Sequence, residues 1–246
     1  FDVRQNPKVA KAFEEIWGTE DLTSSVDGVA FELPPEYTQK GRERKAWHTK
    51  EWLHLDQSPT RNGFECVQGW VTARDIGMKD GTLRVLRGSH KYHAEFAKKF
   101  GIDGTNEKDK DDWHKLTEKQ IKWFVEEKGC DQMDIQCRAG SQVLWDSRTV
   151  HSGRSPVKGR AKPNTRLVVY TCYWPAKNLT EAQAKKKRNM VENGRMSSHW
   201  PDARKTFPKL PQDATRWGIE IPTEPVYKKP ILTERGGALF GWHGKP

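Results

Sequence analysis

Trp52-Leu53-His54-Leu55-Asp56-Gln57 places two strong metal ligands two residues apart in a context that predicts an extended strand. In a strand, residues i and i+2 point to the same face. His54 and Asp56 therefore project together, while Leu53 and Leu55 turn the other way into apolar packing. An imidazole nitrogen and a carboxylate oxygen on one face make two adjacent corners of an octahedral metal site. A third ligand would complete a facial triad with three open positions, the arrangement that suits non-heme Fe(II) and oxygen chemistry. A His-x-Asp pair alone is common by chance, so the rest of the chain has to supply the third ligand.

The composition allows such a site and narrows its setting. A chain of 246 residues is long enough for one domain with a full core, a size routine among all-β sandwiches and barrels, and a single domain over 1–246 is expected. Hydrophobic residues make up 34% and charged residues 31%, yet eleven Trp and nine Phe supply apolar area that a disordered chain does not carry. Lys plus Arg outnumber Asp plus Glu by 43 to 33, a formal charge of +10. Such a charge favours anionic partners: phosphorylated or CoA-linked small molecules, acidic metabolites or nucleic acid, although solubility alone accounts for it as well. Cys66, Cys130, Cys137 and Cys172 form no Cys-x-x-Cys pair and lack the density of a secreted disulfide scaffold, so reduced thiols and a cytoplasmic location are expected. No apolar run approaches the roughly eighteen residues of a membrane span. Phe1-Asp2-Val3-Arg4-Gln5 does not form a signal peptide, and the start at Phe1 rather than Met leaves a removed leader open.

Outward from the ligand pair, Asn6-Pro7 followed by Val9, Ala10, Phe13, Ile16, Trp17 and Gly18 predicts a capped helix. Val26 to Leu33 alternates and reads as a strand ended by Pro34-Pro35, and residues 36–46 read as a loop over the site mouth. Trp47 to Asp56 and Phe64 to Ala73 read as strands able to pair as a long hairpin. Thr82 to Leu86 is a further strand, Arg87-Gly88-Ser89-His90 a turn into a helix ending at Phe100, and 101–112 an exposed excursion. Thr117 with Gln120, and Thr180 with Gln183, match capping boxes ahead of helices at 118–128 and 181–193. Gln142 to Trp145 and Thr165 to Trp174 read as strands. The fold class expected is mainly β with flanking helices, with a core over about 20–175 and a helical, Pro-rich wrap over 176–246.

His151 follows the strand Gln142 to Trp145 and the segment 146–150, where a ligand from an opposing barrel strand belongs. His48, His90, His93, His114, His199 and His243 read as surface histidines. Arg166 opens the run Arg166-Leu167-Val168-Val169-Tyr170-Thr171-Cys172-Tyr173-Trp174. An arginine pointing into a barrel is a costly buried cation unless a carboxylate meets it. The distal carboxylate of a 2-oxo dicarboxylate would do so through two parallel hydrogen bonds, with its 1-carboxylate and 2-oxo oxygens chelating iron. Arg160 competes for the role but sits in Val157-Lys158-Gly159-Arg160-Ala161-Lys162-Pro163, which reads as an exposed turn.

Three segments in order, His54-Leu55-Asp56, Asp80-Gly81-Thr82-Leu83-Arg84-Val85-Leu86-Arg87-Gly88-Ser89-His90-Lys91 and Leu144-Trp145-Asp146-Ser147-Arg148-Thr149-Val150-His151-Ser152-Gly153, resemble the phytanoyl-CoA dioxygenase family of Fe(II)/2-oxoglutarate oxygenases. The resemblance implies a double-stranded β-helix, a jelly-roll or cupin-like barrel, with His54, Asp56 and His151 as iron ligands and Arg166 as the 2-oxoglutarate anchor. It places Trp70 in the active-site lining, and Gln57 and Arg84 join it as candidate substrate-pocket residues. It also implies hydroxylation of an unactivated C–H bond of a small molecule with release of succinate and CO2. Fe(II) and 2-oxoglutarate would be the cofactors, with ascorbate as reductant in vitro. The chain departs from the family in two places. Arg166 needs a longer turn through Ser155 to Thr165 than the family's anchor often has, and Arg87 stands where proline is common.

Asp56 separates the chain from the related halogenases, in which a missing carboxylate lets chloride bind the iron. Two other readings differ in class. A non-catalytic metal-binding barrel has no chemical need of all four groups. A nucleic-acid-directed oxygenase or basic binding module is motivated by the charge and by Lys185-Lys186-Lys187-Arg188, a run that a solvated helix face explains as well. The prime substrate is set by loops such as 34–46, 57–63 and 101–116 and by the tail.

Overall fold

The computed structural model describes residues 1–37, 52–106, 112–207 and 227–242. Residues 38–46 of the expected mouth loop, 107–111 of the excursion and 208–226 of the Pro-rich tail lie outside them, as do His48 and His243. The strands are β1 (Leu22–Ser24), β2 (Val29–Glu32), β3 (His54–Leu55), β4 (Val67–Thr72), β5 (Thr82–Leu86), β6 (His114–Lys115), β7 (Gln132–Asp134), β8 (Gln142–Asp146), β9 (His151–Arg154) and β10 (Arg166–Pro175). The helices are α1 (Asp2–Gln5), α2 (Pro7–Trp17), α3 (His93–Phe100), α4 (Glu118–Lys122), α5 (Glu181–Glu192) and α6 (Glu234–Leu239). Antiparallel sheet flanked by helices is the class expected. No helix among the described residues is long and apolar enough to cross a membrane. The residues group into two compact units.

The first unit comprises Phe1–Val29, Gln68–Val71 and Val169–Pro246. The Asn6 side chain accepts from Lys8 N, Pro7 fills the first turn where no donor is needed, and Gly18 ends α2 in the left-handed region at φ 65°. β1 runs antiparallel to the end of β10, with Leu22 opposite Pro175 and Ser24 opposite Tyr173. α5 begins at the expected capping box of Thr180 and Gln183. Its basic run, for which a solvated helix face is an equal reading, is solvated in part, with Lys185 and Lys186 exposed. Lys187 is fully buried, donates to the Thr23 hydroxyl and the Leu239 carbonyl, and is pulled down to about pKa 7 by that burial. Lys186 donates to the Ala203 carbonyl and Arg188 to that of Gly241. Three of the four cations thus fasten their own unit, because a cation that leaves water must find acceptors.

The second unit, Ala30–Val67 and Thr72–Val168, carries the antiparallel sheet β6-β3-β9-β5-β7. Residues 47–51 of the strand expected over Trp47 to Asp56 lie outside the described residues; among the described ones His54–Leu55 is strand, and it does not pair with residues 64–73. The Gln57 side chain holds 57–63 as a loop by donating to the carbonyls of Arg61 and Gly63, which takes the chain out of the sheet. β3 lies instead between β6 and β9, with Leu55 opposite His114 and His54 opposite His151. β4 has its ends beside β8, through Ser147 N to Cys66 O and Thr72 N to Ser141 O.

Alternation sorts the two faces of this sheet. Leu53, Leu55, Leu86 and Val150 pack with Phe96 of α3 and with Trp123 and Phe124 just beyond α4 in one apolar cluster. On the other face, Val85 stands opposite His151 and Leu83 opposite Gly153. β2 carries its larger apolar side chains outward. Phe31 is 60% and Leu33 41% exposed, so Glu32 is the residue it turns inward.

Candidate metal centre

The expected ligands converge. One ligand atom from each of His54, Asp56 and His151 lies within 4.8 Å of the others. His54 Nε2 is 3.5 Å from Asp56 Oδ1, and His151 Nε2 is 3.2 Å from Asp56 Oδ2. Donors at adjacent octahedral corners with bonds of about 2.1 Å stand about 3.0 Å apart, so the space among the three has the dimensions of a divalent ion. Both imidazoles are preset. Nδ1 of His54 is 3.0 Å from the Trp52 carbonyl and Nδ1 of His151 is 2.8 Å from the Thr149 carbonyl. A carbonyl only accepts, so each Nδ1 carries a proton, which leaves each Nε2, on the Asp56 side, as the nitrogen able to ligate a metal. Asp56 lies in the bend after β3 rather than within a strand. His151 comes from the strand next to His54, in direct register with it, and not from an opposing strand.

Arg166, the first residue of β10, is 5% exposed. Its Nη1 is 3.5 Å from Glu32 Oε1, longer than the roughly 2.7–2.9 Å of a charge-assisted hydrogen bond, and its Nε has no hydrogen-bond partner among the described residues. Gly153 lies two residues after His151 on β9 and so shares its face. A Cβ there would stand 3.8 Å from Arg166 Nη1 and 3.8 Å from Cζ2 of Trp52. The guanidinium and the indole edge thus converge over a residue without a side chain, beside the ligand histidine. Trp52 stacks on His54 with ring centroids 4.4 Å apart and donates its indole N–H to the Gly153 carbonyl. Sequence reasoning did not single out Trp52, Gly153 or Glu32 for the site. Trp52 and Gly153 stand inside the motifs quoted above, but their convergence follows from strand register alone.

The segment around Arg160 is exposed at 157–159 and 161–162, as expected, but Arg160 turns its side chain inward. Its side chain is 6% exposed, with Nε and Nη2 on the Glu36 carboxylate at 3.2 and 2.9 Å and Nη1 on Asp80. Asp80 also accepts from Asn164 Nδ2, Asn164 N and Gly77 N, which ties the turn before Arg166 to the start of β5. Burial alone would raise Glu36, but the Arg160 hydrogen bonds outweigh it and hold the carboxyl at about pKa 2.

The three substrate-pocket candidates have different surroundings. Arg84 is opposite Ser152, on the face away from His151, where it and Arg154 share Asp134. A residue between the inward Leu83 and Val85 can only point outward. Gln57 is fully buried with its amide consumed: besides its two donated bonds, its oxygen accepts from Ser147 Oγ at 2.7 Å. Trp70 belongs to the first unit, where it is fully buried and its indole N–H has no hydrogen-bond partner among the described residues. His93 is also buried, its Nε2 3.3 Å from the Gln57 carbonyl and its pKa lowered by desolvation, so it holds the loop rather than facing solvent.

The chain is similar to several known proteins. The chain is 31% identical over 204 residues to Ava biosynthesis cluster protein O of Aspergillus versicolor, covering 82% of this chain and 62% of that protein. The chain therefore spans less than two thirds of that relative's length. Among solved structures, the epimerase SnoN in complex with Fe3+, alpha ketoglutarate and nogalamycin RO is 16% identical with a TM-score of 0.45, over 70% of this chain and 57% of that one. HygX from Streptomyces hygroscopicus, with nickel and 2-oxoglutarate bound, is 14% identical with a TM-score of 0.40, over 71% and 64%. The family model described as phytanoyl-CoA dioxygenase (PhyH) matches residues 1–156, a span that contains His54, Asp56 and His151. The chain belongs to the phytanoyl-CoA dioxygenase family.

Proposed function

We propose that the chain is an Fe(II)- and 2-oxoglutarate-dependent dioxygenase that hydroxylates a C–H bond of a small molecule. The observation that carries this reading is the preset His54, Asp56 and His151 cluster with a buried, half-answered guanidinium beside it. Two neutral nitrogens and one carboxylate oxygen at neighbouring corners fit Fe(II). The partnerless Nε of Arg166 fits a carboxylate. When bound, the iron and co-substrate supply the oxidising power for hydroxylation, with release of succinate and CO2.

The chain's own groups prepare the site. The Trp52 and Thr149 carbonyls hold the two imidazoles in the tautomer that can ligate. Arg166 orients the distal carboxylate of the co-substrate. The Trp52 indole covers one face of His54 and shields it from water, and Gly153 leaves room between Trp52 and Arg166. A small-molecule substrate is supported by the relative's name as a biosynthesis cluster protein, and the +10 charge favours an anionic one. The test is release of succinate from 2-oxoglutarate with Fe(II) and ascorbate, screened across candidate metabolites. Substrate-stimulated, iron-dependent succinate is expected. Tight metal binding with no 2-oxoglutarate turnover across the screen would point instead to a non-catalytic metal-binding protein.

A further inference from the structure

We infer that Glu32 stands in for the distal carboxylate of 2-oxoglutarate at Arg166 and yields its place when the co-substrate binds, so that it sets co-substrate affinity and selectivity. The inference rests on Arg166 being the anchor. A carboxylate that holds an arginine for good looks like Glu36 on Arg160, with both oxygens engaged at hydrogen-bond distance. Glu32 does not. Its Oε1 is 3.5 Å from Arg166 Nη1, and among the described residues neither its buried Oε2 nor the buried Nε of Arg166 has a hydrogen-bond partner. Opposite charges have been brought together and neither is satisfied. Such a pair is worth little as a structural tie and is relieved by a ligand that completes the guanidinium.

Two features show that the placement is built. β2 turns Glu32 inward while leaving Phe31 and Leu33 exposed, which forgoes apolar burial in order to present a carboxylate. The absence of a side chain at Gly81 leaves the slot for that carboxylate, since a Cβ there would collide with Glu32 Oε2. An exit also exists, because the Glu32 side chain is 32% exposed. The apparent affinity for the co-substrate then equals its intrinsic affinity reduced by the fraction of molecules in which Arg166 is available. A 2-oxo acid without a second carboxylate cannot take the guanidinium from Glu32, so the pair selects for dicarboxylates.

The test is calorimetric titration of 2-oxoglutarate into the whole chain loaded with Mn(II), which measures binding without turnover, for wild type, Glu32→Gln, Arg166→Ala and the double variant. Glu32→Gln, which keeps the side-chain shape, is expected to tighten 2-oxoglutarate on the order of tenfold. It should leave pyruvate unchanged and lose its effect in the Arg166→Ala background. Weaker binding in Glu32→Gln would overturn the inference and make Glu32 a support for the arginine. Equal tightening with and without Arg166 would overturn it in favour of a general field effect. Should Arg166→Ala alone leave 2-oxoglutarate affinity at the wild-type value, the anchor itself is misassigned, and the inference falls with it.

Discussion

Arg160 and Arg166 lie on the two sides of one turn and are equally withdrawn from water, yet they end in opposite states. Each side-chain nitrogen of Arg160 meets a carboxylate, and Asp80 and Glu36 are themselves hydrogen-bonded in return. Arg166 meets one carboxylate loosely and, among the described residues, keeps a donor without a partner. The difference separates a structural cation from a binding one. Burial is affordable for the first because its compensation is complete within the chain, and it remains incomplete for the second until a ligand arrives.

The largest effect expected lies at the metal, next to the unsatisfied arginine. His54→Ala, Asp56→Ala and His151→Ala should each weaken Fe(II) binding by more than about 100-fold, the upper range for losing even an outer partner of a ligand. Anaerobic titration of the metal measures this, with His90→Ala as a variant that keeps wild-type affinity. Iron loss in His90→Ala would move the site.

The next effect sets the two arginines directly against each other. Arg166→Ala should raise the 2-oxoglutarate requirement by about 2–5 kcal/mol, roughly thirtyfold to several thousandfold, with metal affinity and stability nearly unchanged. Arg160→Ala should do the reverse. It leaves Glu36 and Asp80 facing a gap, at a cost of about 3–5 kcal/mol in denaturant unfolding, with less effect on 2-oxoglutarate in the protein that remains folded. A crossed result, with co-substrate binding lost in Arg160→Ala and stability lost in Arg166→Ala, would invert the comparison.

Gly153→Ala sharpens it. The added methyl meets only ordinary contacts at 3.8 Å, so the fold should tolerate it, while the space between Trp52 and Arg166 is reduced. A loss of about 1–2 kcal/mol in 2-oxoglutarate binding, roughly fivefold to thirtyfold, is expected with unchanged metal affinity. Unaltered co-substrate affinity would show that the ligand does not pass over Gly153.

What could be read from the residues beforehand, and what could not, divides along the range of the interactions. The pairing of His54 with Asp56, the caps at Asn6, Thr117 and Thr180 and the strand Thr82 to Leu86 are local, set by side-chain alternation and by donors within a few residues. The neighbour of β3 is not local: nothing in Leu53 to Gln57 announces that His54 will sit beside His151 rather than in a hairpin with residues 64–73. The alternation in Val26 to Leu33 marks a strand but does not say which face turns inward, and in the fold that face carries Glu32 while Phe31 is exposed. Lys187 looked solvated because its acceptors, Thr23 and Leu239, are remote in sequence. Arg84 was legible, since alternation between Leu83 and Val85 already turns it away from the histidines.

The smallest effect concerns acid. Glu36 sits at about pKa 2 in the folded chain against an ordinary 4.5, because the Arg160 hydrogen bonds overcome the opposing push of burial. A carboxyl whose folded pKa is depressed binds fewer protons folded than unfolded. Its stabilising contribution is therefore complete above about pH 4.5 and is lost progressively as the pH falls toward 2. Denaturant unfolding at pH 5, 4 and 3 should show this decline, and Glu36→Gln, which cannot titrate, should lower stability at pH 5 and flatten the slope below it. The change should be smaller than that of Arg160→Ala, because Glu36 is partly exposed and Asp80 still holds the arginine. An unchanged slope in Glu36→Gln would place the acid sensitivity in other carboxylates and remove Glu36 from the structural half of the comparison.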